Sequence, residues 1–214
     1  MKTNKITTFG VDTIGECWKK SLQLVMDNGD EVYDDGNKLL EICNLAVTIK
    51  RPNVNDFIVD KYADKDRISL MIEKYHSCSI IQNYKISYGK LLYDYDNVNQ
   101  IEWLIKRLHE RPFTKSATIA LHPPGMDNLS CLSLIDIKIR KNLLNMNCIY
   151  RSQNIFGSQP GNLIAMRTIF NELTETLSIT PGVINLYALS GHIYEYDFQK
   201  VKSLFDTWDK DLLK

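Results

Sequence analysis

The sequence predicts a single compact α/β domain in which strands and helices are mixed along the chain. Two observations carry this expectation. Segments whose apolar residues recur at every second position, as strands with one buried face require, are interleaved with segments that repeat at helical spacing. No internal repeat, low-complexity tract or linker divides the 214 residues, and a chain of that length can bury most of its apolar surface in one core.

Taken in order, Asp12-Thr13 cap a first helix whose apolar stripe is Ile14, Trp18, Leu22, Val25 and Met26, with Gly29 as its stop. Asp34-Asp35-Gly36-Asn37 reads as a turn, after which Cys43, Leu45, Val47 and Ile49 alternate as one strand face, closed by Pro52. Residues 53–87 carry little pattern beyond a helix near 66–76. Val98, Ile101, Leu104, Ile105 and Leu108 give a helix from about residue 97 to 110. Ala117, Ile119 and Leu121 make a short strand that stops at His122-Pro123-Pro124-Gly125. Residues 131–140 and 143–150 form two strands joined by a tight turn at Lys141-Asn142. A helix over 162–177 follows, then Pro181-Gly182 turns into a strand over 183–189. A last helix presents Phe198, Val201, Leu204, Phe205 and Trp208.

Lys+Arg and Asp+Glu both number 26, so the chain exerts no net pull on nucleic acid or on an anionic membrane, and an anionic ligand must be gripped by a local cluster. Met1-Lys2-Thr3-Asn4-Lys5 has charge but no apolar run behind it, unlike a signal peptide, and no apolar run approaches the roughly 20 residues that span a bilayer. The five cysteines (Cys17, Cys43, Cys78, Cys131, Cys148) are odd in number and scattered, without Cys-x-x-Cys or Cys/His zinc spacing. Neither a disulfide framework nor a metal site is expected, and a reducing cytoplasm fits. Asp94-Tyr95-Asp96-Asn97 lacks the glycine and distal glutamate of a calcium loop, and Gly157-Ser158-Gln159-Pro160-Gly161 lacks the Gly-Lys-Ser/Thr of a P-loop. Asn128-Leu129-Ser130 is a glycosylation sequon with nothing else to suggest secretion.

Four features between Cys131 and Tyr194 remain. Cys131 lies at the start of a strand after a polar loop. Arg151-Ser152-Gln153-Asn154 begins 20 residues later (151 − 131), Asn162 of Gln159-Pro160-Gly161-Asn162 follows Arg151 by 11 (162 − 151), and His192-Ile193-Tyr194 begins 30 beyond Asn162 (192 − 162). Each alone has an ordinary explanation: a small buried thiol, a surface arginine, a helix N-cap, a half-buried strand pair. Together they stand in the order and register of the thymidylate synthase family, which adds one-carbon units to C5 of pyrimidine nucleotides. The chain resembles that family most specifically over 115–198. Its Cys-Leu, Arg-Ser and His-Ile-Tyr-Glu wording looks like the compact branch that holds archaeal members and CMP 5-hydroxymethylases of nucleoside-antibiotic and thiamine-antivitamin pathways.

The resemblance implies one three-layer domain over 1–214, with a large twisted mixed sheet and flanking helices, and a homodimer in which the sheets pack face to face. It implies 5,10-methylenetetrahydrofolate as the one-carbon donor and a pyrimidine nucleoside monophosphate as substrate, with no membrane or nucleic-acid partner. Cys131 would add to C6 of the base, making the electron-poor C5 nucleophilic, with Arg151 as the cation that favours its thiolate. Arg151 and Ser152 would hold the 5′-phosphate. Asn162 would read the base edge, its amide matching uracil's O4 and N3–H or, flipped, cytosine's N3 and amino group. His192 and Tyr194 would bind the sugar, and Tyr88 of Tyr88-Gly89-Lys90 would assist removal of the C5 proton.

Departures from the family are equally legible. Thr114-Lys115-Ser116 stands where two adjacent arginines bind the partner subunit's phosphate, leaving Lys115 as the cation. The turn near 34–38 offers Lys38 at best where another phosphate arginine is expected. Leu132 follows the cysteine in place of histidine. Asn154 replaces the acidic residue that engages the folate pterin, and the water-ordering glutamate has no secure match, Glu73 and Asp66 being the nearest carboxylates. The altered pterin contact and compact frame lead to an expectation of CMP hydroxymethylation. Reductive methylation of dUMP and hydroxymethylation of dCMP are the alternatives, and a catalytically silent nucleotide- or RNA-binding relative is the alternative of another class.

Overall fold

The computed structural model describes residues 5–81, 87–122, 125 and 129–212. Pro123-Pro124 of the expected strand stop, Asn128 of the sequon and the first four residues of the chain lie outside the described residues.

The longest ladder decides the architecture. β3 (Asn37–Ile49) runs antiparallel to β8 (Thr180–Tyr194), from Leu39 opposite Tyr194 to Ile49 opposite Ile184. β6 (Leu143–Tyr150) lies parallel to β8 on its other side, and β5 (Leu132–Arg140) returns antiparallel to β6. β4 (Thr118–Ala120) and β1 (Thr7–Val11) close the two edges, so the eight-stranded mixed sheet has the order β1-β3-β8-β6-β5-β4, with β2 (Asp30–Asp34) paired to β3 and β7 (Gln153–Asn154) to β8. The β5–β6 turn has φ of 51° at Lys141 and 59° at Asn142, as a two-residue hairpin on right-twisted strands demands.

One face of the sheet carries Leu45, Val47, Ile49, Ile135, Ile137, Leu144, Met146, Ile184 and Leu186, all buried. Against it lie α1 (Ile14–Asn28), started by a Thr13–Glu16 capping box, and α6 (Gln159–Thr176). A third layer packs on these helices. α3 (Lys65–His76) lies on α6, and α7 (Phe198–Leu212) sets Trp208 edge-on to Trp18 of α1 at 5.6 Å and to Tyr62 of α2 (Phe57–Tyr62) at 5.7 Å. α4 (Tyr88–Tyr93) and α5 (Gln100–Glu110) complete the helices. This is the mixed, helix-flanked α/β sheet expected from the sequence. Among the described residues no helix is long and apolar enough to cross a membrane.

The other face of the sheet is left half-exposed by the described residues, with Tyr187 and Leu189 exposed. A row of polar side chains crosses five strands there. Thr48 Oγ1 donates to Asn185 Oδ1 (2.8 Å), Asn185 Nδ2 to Asn147 Oδ1 (2.9 Å), Asn147 Nδ2 to Asp136 Oδ2 (3.0 Å), and Thr118 Oγ1 to Asp136 Oδ1 (2.6 Å).

Three boundaries differ from the sequence reading for physical reasons. β8 begins before Pro181-Gly182, because a register break between Leu144 and Met146 leaves Asn145 Oδ1 to take the Val183 N–H and Pro181 has no N–H to satisfy. α6 starts at Gln159 with Pro160 in its first turn, so Asn162 lies inside the helix and Ser158, not Asn162, occupies the N-cap. Tyr88-Gly89 opens a short helix in a stretch where the sequence showed little pattern. A Cβ at Gly89 would sit 2.2 Å from the Ser77 carbonyl oxygen, so only glycine lets α4 press against the end of α3.

Candidate active site

Cys131 lies in a bend one residue ahead of β5, half-buried, and not within the strand itself. The β5–β6 register shifts between Leu132 and Leu134, an irregularity of the kind that re-aims side chains beside functional sites. The Cys131 carbonyl accepts the Arg151 N–H at 2.9 Å, which extends the hairpin ladder by one bond. The Arg151 guanidinium reaches back over the approach loop: Nε donates to the Ser130 carbonyl (3.1 Å) and Nη2 to the Leu129 carbonyl (2.8 Å). It therefore clamps the segment that presents the cysteine. Ser152 is half-buried beside it.

Tyr88 enters from α4. Its hydroxyl accepts the Leu132 N–H at 3.5 Å and meets the Cys131 thiol, and burial together with the charge of a Cys131 thiolate pushes the phenol well above its ordinary pKa. It is a neutral hydroxyl at working pH.

The structure brings in a residue that sequence reasoning missed. The Lys74 ammonium lies 4.8 Å from the centre of the Tyr88 ring, within electrostatic reach of Cys131. Burial, aided by the positive charge of Arg67, lowers its pKa to about 8, and the Cys131 thiolate acts in the opposite sense. The only sequence signal was position: Lys74 falls three residues after Met71, which is buried. Glu73 and Asp66 are both exposed, so the half-buried residue that α3 turns to the cysteine is a cation and neither of those carboxylates.

Asn162 is 3% exposed, and its side-chain oxygen accepts from the Tyr75 hydroxyl at 3.3 Å. The Tyr75 hydroxyl in turn lies 3.0 Å from the Tyr150 hydroxyl, and its ring packs tilted against Tyr88, 4.4 Å between centres. His192 and Tyr194 are two apart on β8 with rings 5.0 Å from each other. Burial lowers the His192 pKa against the pull of Glu41, which favours a neutral imidazole, and its Nδ1 lies 3.4 Å from Ser190 Oγ. Tyr194 is close enough for the Cys131 charge to help raise its pKa, after burial and Tyr196. Cys131, Tyr88, Lys74, Arg151, Asn162, His192 and Tyr194 are thus gathered around one end of the sheet.

Two expected residues stand apart from that group. Asn154 Oδ1 is taken by the Gly157 N–H at 2.8 Å in a local turn. Beyond Gly157 opens a pocket of about 280 Å³, lined by Tyr62, Arg67, Phe156 and Lys200 among others. Lys115 is exposed in the loop before β4, and the β4–β5 register, Thr118 opposite Asp136 to Ala120 opposite Leu134, puts it at the far end of β5 from Cys131. Among the described residues no group of three or more His, Cys, Asp or Glu is placed to hold a metal ion.

A thiol presented by a clamped loop, with a hydroxyl and an ammonium beside it, is the equipment of an enzyme that works through a covalent intermediate. An amide, an imidazole and phenols around it can donate and accept hydrogen bonds. The chain belongs to the thymidylate synthase family, which it matches over residues 60–211, a span that holds Lys74, Tyr88, Cys131, Arg151, Asn162, His192 and Tyr194. It is 27% identical over 197 residues to a Methanosarcina mazei protein named "Putative thymidylate synthase", covering 89% of this chain and 91% of that one. A Methanococcoides burtonii protein of the same name is 26% identical over 198 residues (90% and 91% covered). One from Methanothermobacter thermautotrophicus is 27% identical over 213 residues (91% and 96% covered). The family consists of one-carbon transferases that bind a pyrimidine nucleotide and use methylenetetrahydrofolate.

The position of Lys74 leads to a test on the thiol alone. Lys74→Met is expected to slow alkylation of Cys131 by iodoacetamide about tenfold at pH 7, because a neighbouring cation favours the thiolate. Lys74→Arg, which stays charged above pH 8, is expected to restore the rate and carry it to higher pH. Peptide mass spectrometry with Cys43 as the reference thiol reads both, and equal Cys131 rates in wild type and Lys74→Met would remove Lys74 from the account.

Proposed function

We propose that the chain transfers a one-carbon unit from 5,10-methylenetetrahydrofolate to C5 of a pyrimidine nucleotide, with CMP as substrate and a hydroxymethyl group as product. The observation that carries the transfer is the placement of Cys131 beside Tyr88 and Lys74. The Cys131 thiolate adds to C6 of the base, and the electron pair displaced from the C5–C6 bond makes C5 nucleophilic. Lys74 and Arg151 provide positive charge around the thiolate and its loop. The neutral Tyr88 hydroxyl orders the water that takes the C5 proton. Asn162 reads the base edge, and His192 and Tyr194 hold the sugar. Arg151 and Ser152 face the phosphate.

The pocket beyond Gly157 suits the folate. Tyr62 and Phe156 offer faces to an aromatic ring, and Arg67 and Lys200 offer charge to a carboxylate tail. When bound there, the folate supplies a methylene group at the oxidation level of formaldehyde. Asn154 lies behind Gly157, which lines this pocket together with Asp64, and is an uncharged amide whose oxygen is already committed to the Gly157 N–H. That leaves no carboxylate at this position to grip the pterin for hydride delivery, which favours water as the final partner and a hydroxymethyl product. The names of the archaeal relatives favour a second reading, reductive methylation of dUMP.

Incubating CMP, dCMP and dUMP separately with the protein and methylenetetrahydrofolate separates these outcomes by mass. The expected result is a gain of CH₂O on CMP, abolished in Cys131→Ala and retained in Cys148→Ala. A gain of CH₂ on dUMP would install the second reading, and no mass change on any nucleotide would end both.

We also propose that the half-exposed face of the sheet packs on a second copy of the chain, and that Lys115 serves the partner's phosphate site. Its distance along β5 from its own Cys131 is what supports this. Mixing Cys131→Ala chains with Lys115→Ala chains is expected to restore part of the activity that each lacks, because one site of the mixed dimer then has both groups intact. Absence of rescue after confirmed subunit exchange, or a monomer in sedimentation at assay concentration, would defeat the shared site.

A further inference from the structure

We propose that Tyr75 and Tyr150 are positioning residues that fix which way the Asn162 carboxamide faces, and through it whether the site prefers cytosine or uracil. The inference rests on Asn162 reading the base. Nothing about Tyr75 or Tyr150 follows from the motifs in the sequence; what joins them to the site is the geometry. Both tyrosines are wholly buried, at 0% exposure, and their hydroxyls lie 3.0 Å apart. The Tyr75 hydroxyl continues to Asn162 Oδ1 at 3.3 Å, so three side chains from α3, β6 and α6 form one chain of hydrogen bonds. The Asn162 backbone is pinned in the first turn of α6 by its N–H to the Ser158 carbonyl (2.9 Å). Its neighbour Gly161 has no room for a Cβ, which would sit 2.8 Å from Met71 Cγ, so α3 packs directly on the start of α6 and keeps Tyr75 beside Asn162. The freedom left to Asn162 is the flip of its amide.

That flip is coupled to two hydroxyl protons. With Tyr150 donating to Tyr75 and Tyr75 donating to Asn162, the amide oxygen is held on the Tyr75 side and the NH₂ lies on the other. Reversing the amide requires its NH₂ to donate to the Tyr75 oxygen, Tyr75 to donate to Tyr150, and the Tyr150 proton to find another acceptor. Burial raises both phenols well above their ordinary pKa, so the two protons stay in place and only their directions change. Cytosine and uracil present opposite donor and acceptor patterns at position 4 and N3. The hydroxyl chain therefore favours one base by keeping the amide in one orientation, and an unmatched buried group is the penalty for the other base.

The test compares kcat/KM for CMP and UMP in wild type, Tyr75→Phe and Tyr150→Phe, each of which removes one oxygen and keeps the ring. Tyr75→Phe releases the amide, and the base preference is expected to fall about three- to tenfold toward unity. Tyr150→Phe removes the acceptor that the reversed chain needs, so Tyr75 can donate only to Asn162. The preference is then expected to be kept or to increase. A merely structural role would lower both kcat/KM values together and leave their ratio within about twofold of wild type; that result in Tyr75→Phe overturns the inference. So does a loss of preference in Tyr150→Phe, which decides the matter alone if Tyr75→Phe fails to fold. Asn162→Asp, measured alongside, separates the two levels. If it alters the ratio while Tyr75→Phe does not, the inference fails and Asn162 remains the reader. If neither alters it, the base is read elsewhere and both fail.

Discussion

The site depends on β8, the one strand that pairs with β3, β6 and β7. Because β6 runs parallel to β8, the end of β6 at Tyr150 arrives beside Ala188, and β7 continues the same path with Asn154 beside His192. Because β5 is antiparallel to β6, its first residue Leu132 lies opposite Tyr150, which places Cys131 at the same end. One ladder thus brings together groups more than fifty residues apart in sequence (192 − 131 = 61). A slip of one residue in any of these pairings would turn every side chain to the wrong face of the sheet.

The same ladder explains why the spacings were legible. Cys131 precedes a nine-residue strand, a two-residue turn and an eight-residue strand, and Arg151 follows them, so the interval between the two is a closed hairpin that cannot change length without separating its ends. The interval from Asn162 to His192 is set in the same way by the eighteen-residue α6 and the return along β8. Elements with a long buried face were also readable, as in α1 with its capping box and the alternation along β3.

What stayed hidden lies in elements that tertiary contacts define. α2 and α4 have six residues each, too few for helical periodicity to show. α2 is held by the buried Asp56, which accepts from Ile58 and Val59, and α4 by the approach of Gly89 to Ser77. β1 is an edge strand with no fully buried residue. Lys74 and Tyr75 sit in the least patterned stretch of the sequence, and neither a lysine nor a tyrosine on a polar helix announces a site. Their roles come from facing Tyr88, Tyr150 and Asn162, which three other elements supply. The family's acidic residues offered no guide here, since α3 points Lys74 inward and leaves Glu73 and Asp66 outside.

The central claim is that Cys131 adds to C6 of the base and so activates C5. Addition followed by reversal should exchange the C5 hydrogen with solvent even when no folate is present, because the activated carbon can take a proton from water before the thiolate leaves. The direct measurement is mass spectrometry of CMP incubated with the protein in deuterium oxide without folate. The account predicts incorporation of one deuterium at C5 with wild type and none with Cys131→Ala. Equal incorporation with both proteins, or none with a wild-type preparation that turns over when folate is added, would contradict it.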